Sequence, residues 1–175
     1  YCGCVNWRGV VCVRAFPVRD VFAEQFQGAV LMLPAWVDQY IGIPYVAGGR
    51  SRKGADCYGL VWLALKEQFG ATPPEYLPGD GYPVGDMATT SFGLACNSGE
   101  WGERKDAGRL GDVVLFHGRN QLVSHCGLVV GDGYFLHSEH GTNAAIGRLR
   151  GARWIHLIHG YYRHRSIRTG QATGL

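Results

Sequence analysis

No acidic residue follows Glu139, whereas Arg148, Arg150, Arg153, Arg163, Arg165 and Arg168 all do. The formal net charge is only +3, so the asymmetry lies in the distribution and not in the total. Such an end reads either as a basic face toward an anionic partner, a cell-wall polymer or an acidic protein surface, or as a solvated edge strand and tail. Nucleic-acid-binding motifs are missing, so nucleic acid is not an expected partner. No apolar run reaches membrane-spanning length, and membrane insertion is not expected. Ala29 to Leu33 is too short for the core of a signal peptide, and no small-residue cleavage pattern follows it. His-Glu-x-x-His and paired Cys-x-x-Cys are absent, which removes the common zinc signatures. Gly-x-Ser-x-Gly is absent as well, which argues against a serine hydrolase.

Cysteine is present, but in the wrong places for a disulfide framework. Of six cysteines, Cys2, Cys4 and Cys12 crowd the start and the others stand alone. Glycine is plentiful, at 27 of 175 residues, which points to loops and tight turns. The length suits one domain with a real core. Met32 stands just before the first well-patterned segment, and residues 1–31 read either as a non-native read-through or as a strand-and-helix extension. The expected division is an extension over 1–31, a catalytic domain over 32–165 and a tail over 166–175.

Along the chain, Leu33, Trp36, Val37, Tyr40 and Ile41 recur at helical spacing, with Pro34 in the first turn and Gly42 as the stop. Residues 43–55 read as a loop rich in Gly, Arg and Ser. Cys57 to Phe69 reads as a buried helix ended by Gly70. Residues 71–111 hold no long periodic segment and read as an irregular binding stretch. Strands are expected over 112–117, 124–130, 133–138, 144–149 and 155–163. Helices first and strands after predict an α+β domain, with an antiparallel sheet packed on the cysteine helix.

The hairpin centred on Gly131-Asp132-Gly133 carries a geometric argument. A two-residue loop puts His125 and His137 on opposite faces. A three-residue loop pairs Val130 with Tyr134 and Gly127 with His137. Then His125, Gly127, Val129, Phe135 and His137 share one face, and Cys126, Leu128, Val130, Tyr134 and Leu136 share the other. A type I turn followed by a left-handed Gly is the common three-residue form, and Gly133 can serve. The two histidines become diagonal neighbours about 7 Å apart.

Cys57 at a helix start has the equipment of a nucleophile, because the helix N-terminus stabilises a thiolate. His125 is the expected general base, and His137 the partner that fixes its tautomer. His117 is the rival base; His140, His156, His159 and His164 read as surface or satisfied histidines. Cys126, on the other hairpin face, is expected to be dispensable. Backbone N–H groups at the helix start are the natural oxyanion donors. Tyr45 is either a further hydroxyl donor there or a packed loop tyrosine. Asp56 reads as a helix cap or as an anchor for a substrate ammonium group. Cys57, His125 and His137 could also make a three-ligand zinc centre, but no zinc motif supports it, so neither metal nor cofactor is expected.

Five blocks now stand in order: Ile43-Pro44-Tyr45-Val46-Ala47-Gly48-Gly49, Asp56-Cys57-Tyr58-Gly59-Leu60-Val61, Gly111-Asp112-Val113-Val114-Leu115-Phe116, Ser124-His125-Cys126-Gly127-Leu128-Val129-Val130-Gly131 and Leu136-His137-Ser138. Together they resemble the signature of the NlpC family of cell-wall cysteine peptidases, from about Met32 to about Arg163. The resemblance implies a papain-like fold and cleavage of peptidoglycan stem peptides, often between γ-D-glutamate and the diamino acid. It implies Cys57 as nucleophile, His125 as base and His137 as the third, orienting residue. It also places Tyr45 and Asp56 in the pocket for the stem peptide's amino end. The family usually has Ser after the catalytic Cys, often holding the substrate amine, and here Tyr58 occupies that subsite. Its Trp-Gly-Gly is here Ala47-Gly48-Gly49. Both departures, and the ending from Trp154 through Tyr161-Tyr162-Arg163, are similar to the branch found in bacteriophage tails. That branch implies a virion location, action at the cell wall, and other tail proteins as partners. The alternative is a structural or assembly part of a tail tip, with a vestigial site or a tail-protein substrate.

Overall fold

The computed structural model describes residues 33–75, 98–106, 108–118 and 121–167. The expected extension over 1–31, most of the irregular stretch and most of the tail lie outside the described residues. The first element is a 3-10 helix, Ala35–Gln39, shorter than the helix expected over 33–41. Pro34 lacks an N–H, and Gly42 turns the chain with φ of 84°, so one tight turn is all that forms. Its inward residues still pack, Val37 and Tyr40 being fully buried. The loop that follows contains a small antiparallel ribbon, β1 (Arg50–Ser51) with β2 (Gly54–Ala55).

Helix α1 runs Cys57–Phe69, the expected bounds, because both ends are capped locally. Asp56 accepts a hydrogen bond from the Gly59 N–H at 2.6 Å, and Gly70 closes the helix in the left-handed region at φ 60°. The helix is buried on most sides, with only Lys66 and Glu67 at the surface. Its first turn presses on the glycine loop. A Cβ on Gly59 would stand 1.9 Å from the Gly49 carbonyl oxygen, which is backbone and cannot swing away. Gly59→Ala is therefore expected to destabilise by about 1–3 kcal/mol, as overpacked positions do. Urea denaturation against wild type checks this.

The sheet is antiparallel throughout, in the order β3-β8-β4-β5-β6-β7. Its strands are β3 (Trp101–Arg104), β4 (Val113–His117), β5 (Val123–Gly131), β6 (Tyr134–His137), β7 (Ala145–Arg148) and β8 (Ile158–His164). Strand β3 was not expected, since its sequence Trp-Gly-Glu-Arg has little strand signal; it forms by pairing with β8. Period-two alternation separates two cores. Val113, Leu115, Cys126, Leu128, Val130 and Leu136 join the α1 side, while Val114, Phe116, Val129 and Phe135 pack with Leu149 and Trp154 on the other. The papain-like α+β architecture, with the cysteine helix on an antiparallel sheet, is the observed one.

The β5–β6 hairpin reaches the expected face assignment by a different route. Its loop has two residues, Asp132 and Gly133, with φ of 47° and 77°, and Gly131 pairs with Tyr134. Both positive angles suit a type I′ turn, the favoured form for Asp-Gly. A bulge between Val129 and Gly131 adds one residue to β5 and restores the register Val129–Phe135 and Leu128–Leu136. The three-residue loop is thus corrected, and the shared face of His125 and His137 is kept.

Three arginines of the basic end form ion pairs. Arg153 pairs with Glu139, Arg163 with the fully buried Asp112, and Arg165 with Glu100.

Candidate active site

The start of α1 meets the beginning of β5, and this junction assembles the site. Cys57 is the first residue of the helix and is half-buried. Its thiol lies in hydrogen-bonding reach of Cys126 and of the His125 ring. The Cys126 hydrogen bond holds it well below the ordinary thiol range; the His125 hydrogen bond and charge add to this, against burial and the Asp56 carboxylate. Burial and the neighbouring Cys57 push Cys126 well above that range. The two shifts run in opposite directions, so Cys57 is the thiol favoured to ionise and Cys126 the one favoured to stay protonated and donate.

His125 and His137 lie edge to face, with His125 Nε2 3.3 Å from His137 Nδ1. With His125 Nε2–H donating, its Nδ1 keeps the lone pair that a base needs toward the thiol. Burial, and then the charges of His125 and Arg153, lower His137 to about 4, so it is neutral at pH 7. A neutral orienting group adds no charge to the cleft.

The other expected residues divide. Asp56 is the helix cap: Oδ1 accepts from Gly59 N–H and from Arg50 at 2.8 Å, and Oδ2 accepts from Gly48 N–H at 2.9 Å. Tyr45 stays close to the thiol. Its hydroxyl is raised by burial and then by the charges of Cys57 and Asp56, and its ring meets His140 edge-on. Tyr58 is buried in the α1 core, and its hydroxyl donates to the Pro74 carbonyl at 2.7 Å. Two residues past the Asp56 cap, its side chain turns into the core, and the large ring fills space there. His117 pairs instead with Gln121 and His159 on the exposed edge. The zinc trio of Cys57 with the two histidines is not the one that converges; Glu139 takes the third place beside them.

Two contributors went unread in the sequence. Trp154 stacks on His125 at 5.4 Å and meets His137 edge-on at 5.0 Å. The last strand was expected from Ile155, but it starts at Ile158, and Trp154 sits in the turn before it. The second is Cys126. Its position on the other hairpin face is as expected, but α1 packs on that face, so it touches the thiol rather than standing apart. Cys126→Ala is expected to raise the pH midpoint of Cys57 alkylation, since a hydrogen bond to the thiolate is lost. Iodoacetamide rates across pH, read at Cys57 by peptide mass spectrometry, check it. An unchanged midpoint would remove Cys126 from the site.

Chemically, this arrangement can ionise a thiol, exchange a proton with it and offer backbone N–H groups beside it. Residues 42–163 match the NlpC/P60 family. The chain is 30% identical over 121 residues to murein DD-endopeptidase MepS/murein LD-carboxypeptidase of Escherichia coli K12, covering 67% of this chain and 55% of that protein. It is 27% identical over 116 residues to the probable peptidoglycan endopeptidase LytE of Bacillus subtilis, covering 65% and 28%. It thus spans about half the length of the first relative and less of the second. A lipoprotein-like NLP/P60 protein of Staphylococcus aureus superposes with a TM-score of 0.52 at 22% identity, over 73% of this chain and 38% of that one, a likeness of fold. With the family match spanning more than half of the sequence, the chain belongs to the NlpC/P60 family.

Proposed function

We propose that this chain is a cysteine endopeptidase that hydrolyses peptidoglycan stem peptides, at the bond between γ-D-glutamate and the diamino acid. The observation that carries it is the helix-start thiol of Cys57 within hydrogen-bonding reach of His125, whose ring is in turn paired with His137. The murein and peptidoglycan endopeptidases that the chain resembles supply the substrate class. Cys57 sulfur attacks the scissile carbonyl carbon, and the oxygen takes the negative charge. The Cys57 backbone N–H stabilises it, with the Tyr45 hydroxyl as second donor. Protonated His125 gives its proton to the departing amine, leaving a thioester. Water then attacks, His125 takes its proton, and the acid departs as the thiolate re-forms. His137 keeps the His125 ring in place throughout. Asp56 sets the cap geometry and borders the subsite for the substrate's amino end, while Tyr58 contributes bulk behind it.

The setting we propose is a bacteriophage tail, where the enzyme opens the wall during entry and meets other tail proteins. The Tyr58 and Ala47 departures and the Trp154–Arg163 ending support it. An assembly role with a tail-protein substrate would use the same residues. Purified protein incubated with defined muropeptides, with products identified by mass spectrometry, separates the two. Cleavage at the γ-D-glutamyl bond supports the wall enzyme. Intact muropeptides with a cleaved tail protein would replace it by the assembly role.

A further inference from the structure

Beside the two imidazoles stands a carboxylate that the hydrolytic scheme leaves without a task. One ligand-capable atom from each of His125, His137 and Glu139 lies within 4.8 Å of the others. His125 Nε2 and His137 Nδ1 are 3.3 Å apart. Two nitrogens on one tetrahedral zinc ion, each at about 2.0–2.1 Å, stand about 3.3 Å from each other, so the rings already hold the required separation. Arg153 grips Glu139 Oε1 at 2.8 Å, the kind of outer contact that orients a ligating carboxylate. His125 and Glu139 are half-buried, and His137 is buried behind them, so the three atoms meet at an edge an ion can reach.

We propose that His125, His137 and Glu139 form a binding site for a zinc-class divalent cation, and that the bound ion switches the peptidase off. The inhibitory half rests on the function proposed above; the binding half does not. Two imidazoles and one carboxylate suit zinc and its neighbours, and not magnesium or calcium, which take oxygen ligands. An ion on His125 Nε2 leaves that ring its one proton at Nδ1. Nδ1 then has no lone pair for the Cys57 proton, and the ring cannot become the imidazolium that feeds the leaving amine. The ion also takes from His125 the His137 nitrogen that orients it. Cys57 stays outside the metal's coordination, and a water fills the fourth position.

The test uses the full chain with Cys2, Cys4 and Cys12 changed to Ser, because a Cys-x-Cys stretch can bind zinc by itself. Metal-free protein is titrated with zinc by calorimetry and with cobalt(II) by absorption spectroscopy, without substrate. One ion per chain is expected, with visible four-coordinate cobalt bands and no thiolate-to-cobalt charge-transfer band. Glu139→Gln should weaken zinc binding roughly tenfold to a hundredfold while leaving zinc-free hydrolysis unchanged. Zinc should stop muropeptide hydrolysis by wild type, and a chelator should restore it. A thiolate charge-transfer band would make Cys57 a ligand and overturn the site, as would equal affinity in Glu139→Gln or no binding by an active enzyme. Hydrolysis that rises with zinc overturns the switch. Zinc binding as expected by a protein that cleaves no muropeptide upholds the site, and overturns the switch together with the peptidase reading.

Discussion

Cys57→Ala is expected to lower muropeptide hydrolysis on the order of 10⁴-fold or more, to background, with the fold intact. No neighbouring group can replace the sulfur. Cys126 is the nearest candidate, but it is fully buried and burial holds it protonated. It faces the α1 core, where a substrate carbonyl cannot reach it. The stability cost should stay within about 1 kcal/mol. Cys57 is half-buried, the change removes a single atom, and the helix cap depends on Asp56 rather than on the thiol. Product analysis by mass spectrometry and thermal melting, run on one preparation, check both halves. Substantial residual hydrolysis by a folded variant would take the nucleophile's role away from Cys57.

The second large effect is at the histidine pair. His125→Ala is expected to be as damaging as loss of the nucleophile. It removes the base, the acid and a source of thiolate stabilisation in one change. At His137 the two replacements should differ. His137→Ala leaves His125 Nε2–H without its acceptor in a half-buried cleft, and general-acid-base losses of about 10²–10⁴-fold are the relevant scale. His137→Asn restores one hydrogen bond and should lose less. Trp154 still covers the His125 ring in both variants, so the imidazole is held on one side. His117→Ala should have little effect, because that ring pairs with His159 away from the thiol. Rates of muropeptide cleavage across the four variants decide the order. A larger loss in His117→Ala than in His125→Ala would move the base to His117.

Several parts of the protein were determined by sequence alone. The bounds of α1 follow from Asp56 and Gly70, each acting within one turn of its own position. The two faces of β5 and β6 follow from period-two alternation, and the thiol and both imidazoles from residue chemistry at those places. The family signature is a local record of the same kind. The hairpin loop shows where local reading stops. The shared histidine face demands an odd residue, and the local reading put it in a three-residue loop. Only pairing of the assembled strands puts that residue at the bulge beside Gly131. Tyr58, Cys126, Trp154 and Glu139 were decided in the same way. Whether each side chain turns into a core, against the thiol, over the imidazole or beside the imidazole pair depends on which surfaces meet. Those surfaces come from elements distant in the chain: α1 on β5, and the turn before β8 over the β5–β6 face. Capping and alternation act over a few residues and leave a mark in sequence. The contacts that build this cleft follow from packing across the sheet, which no short window of residues records.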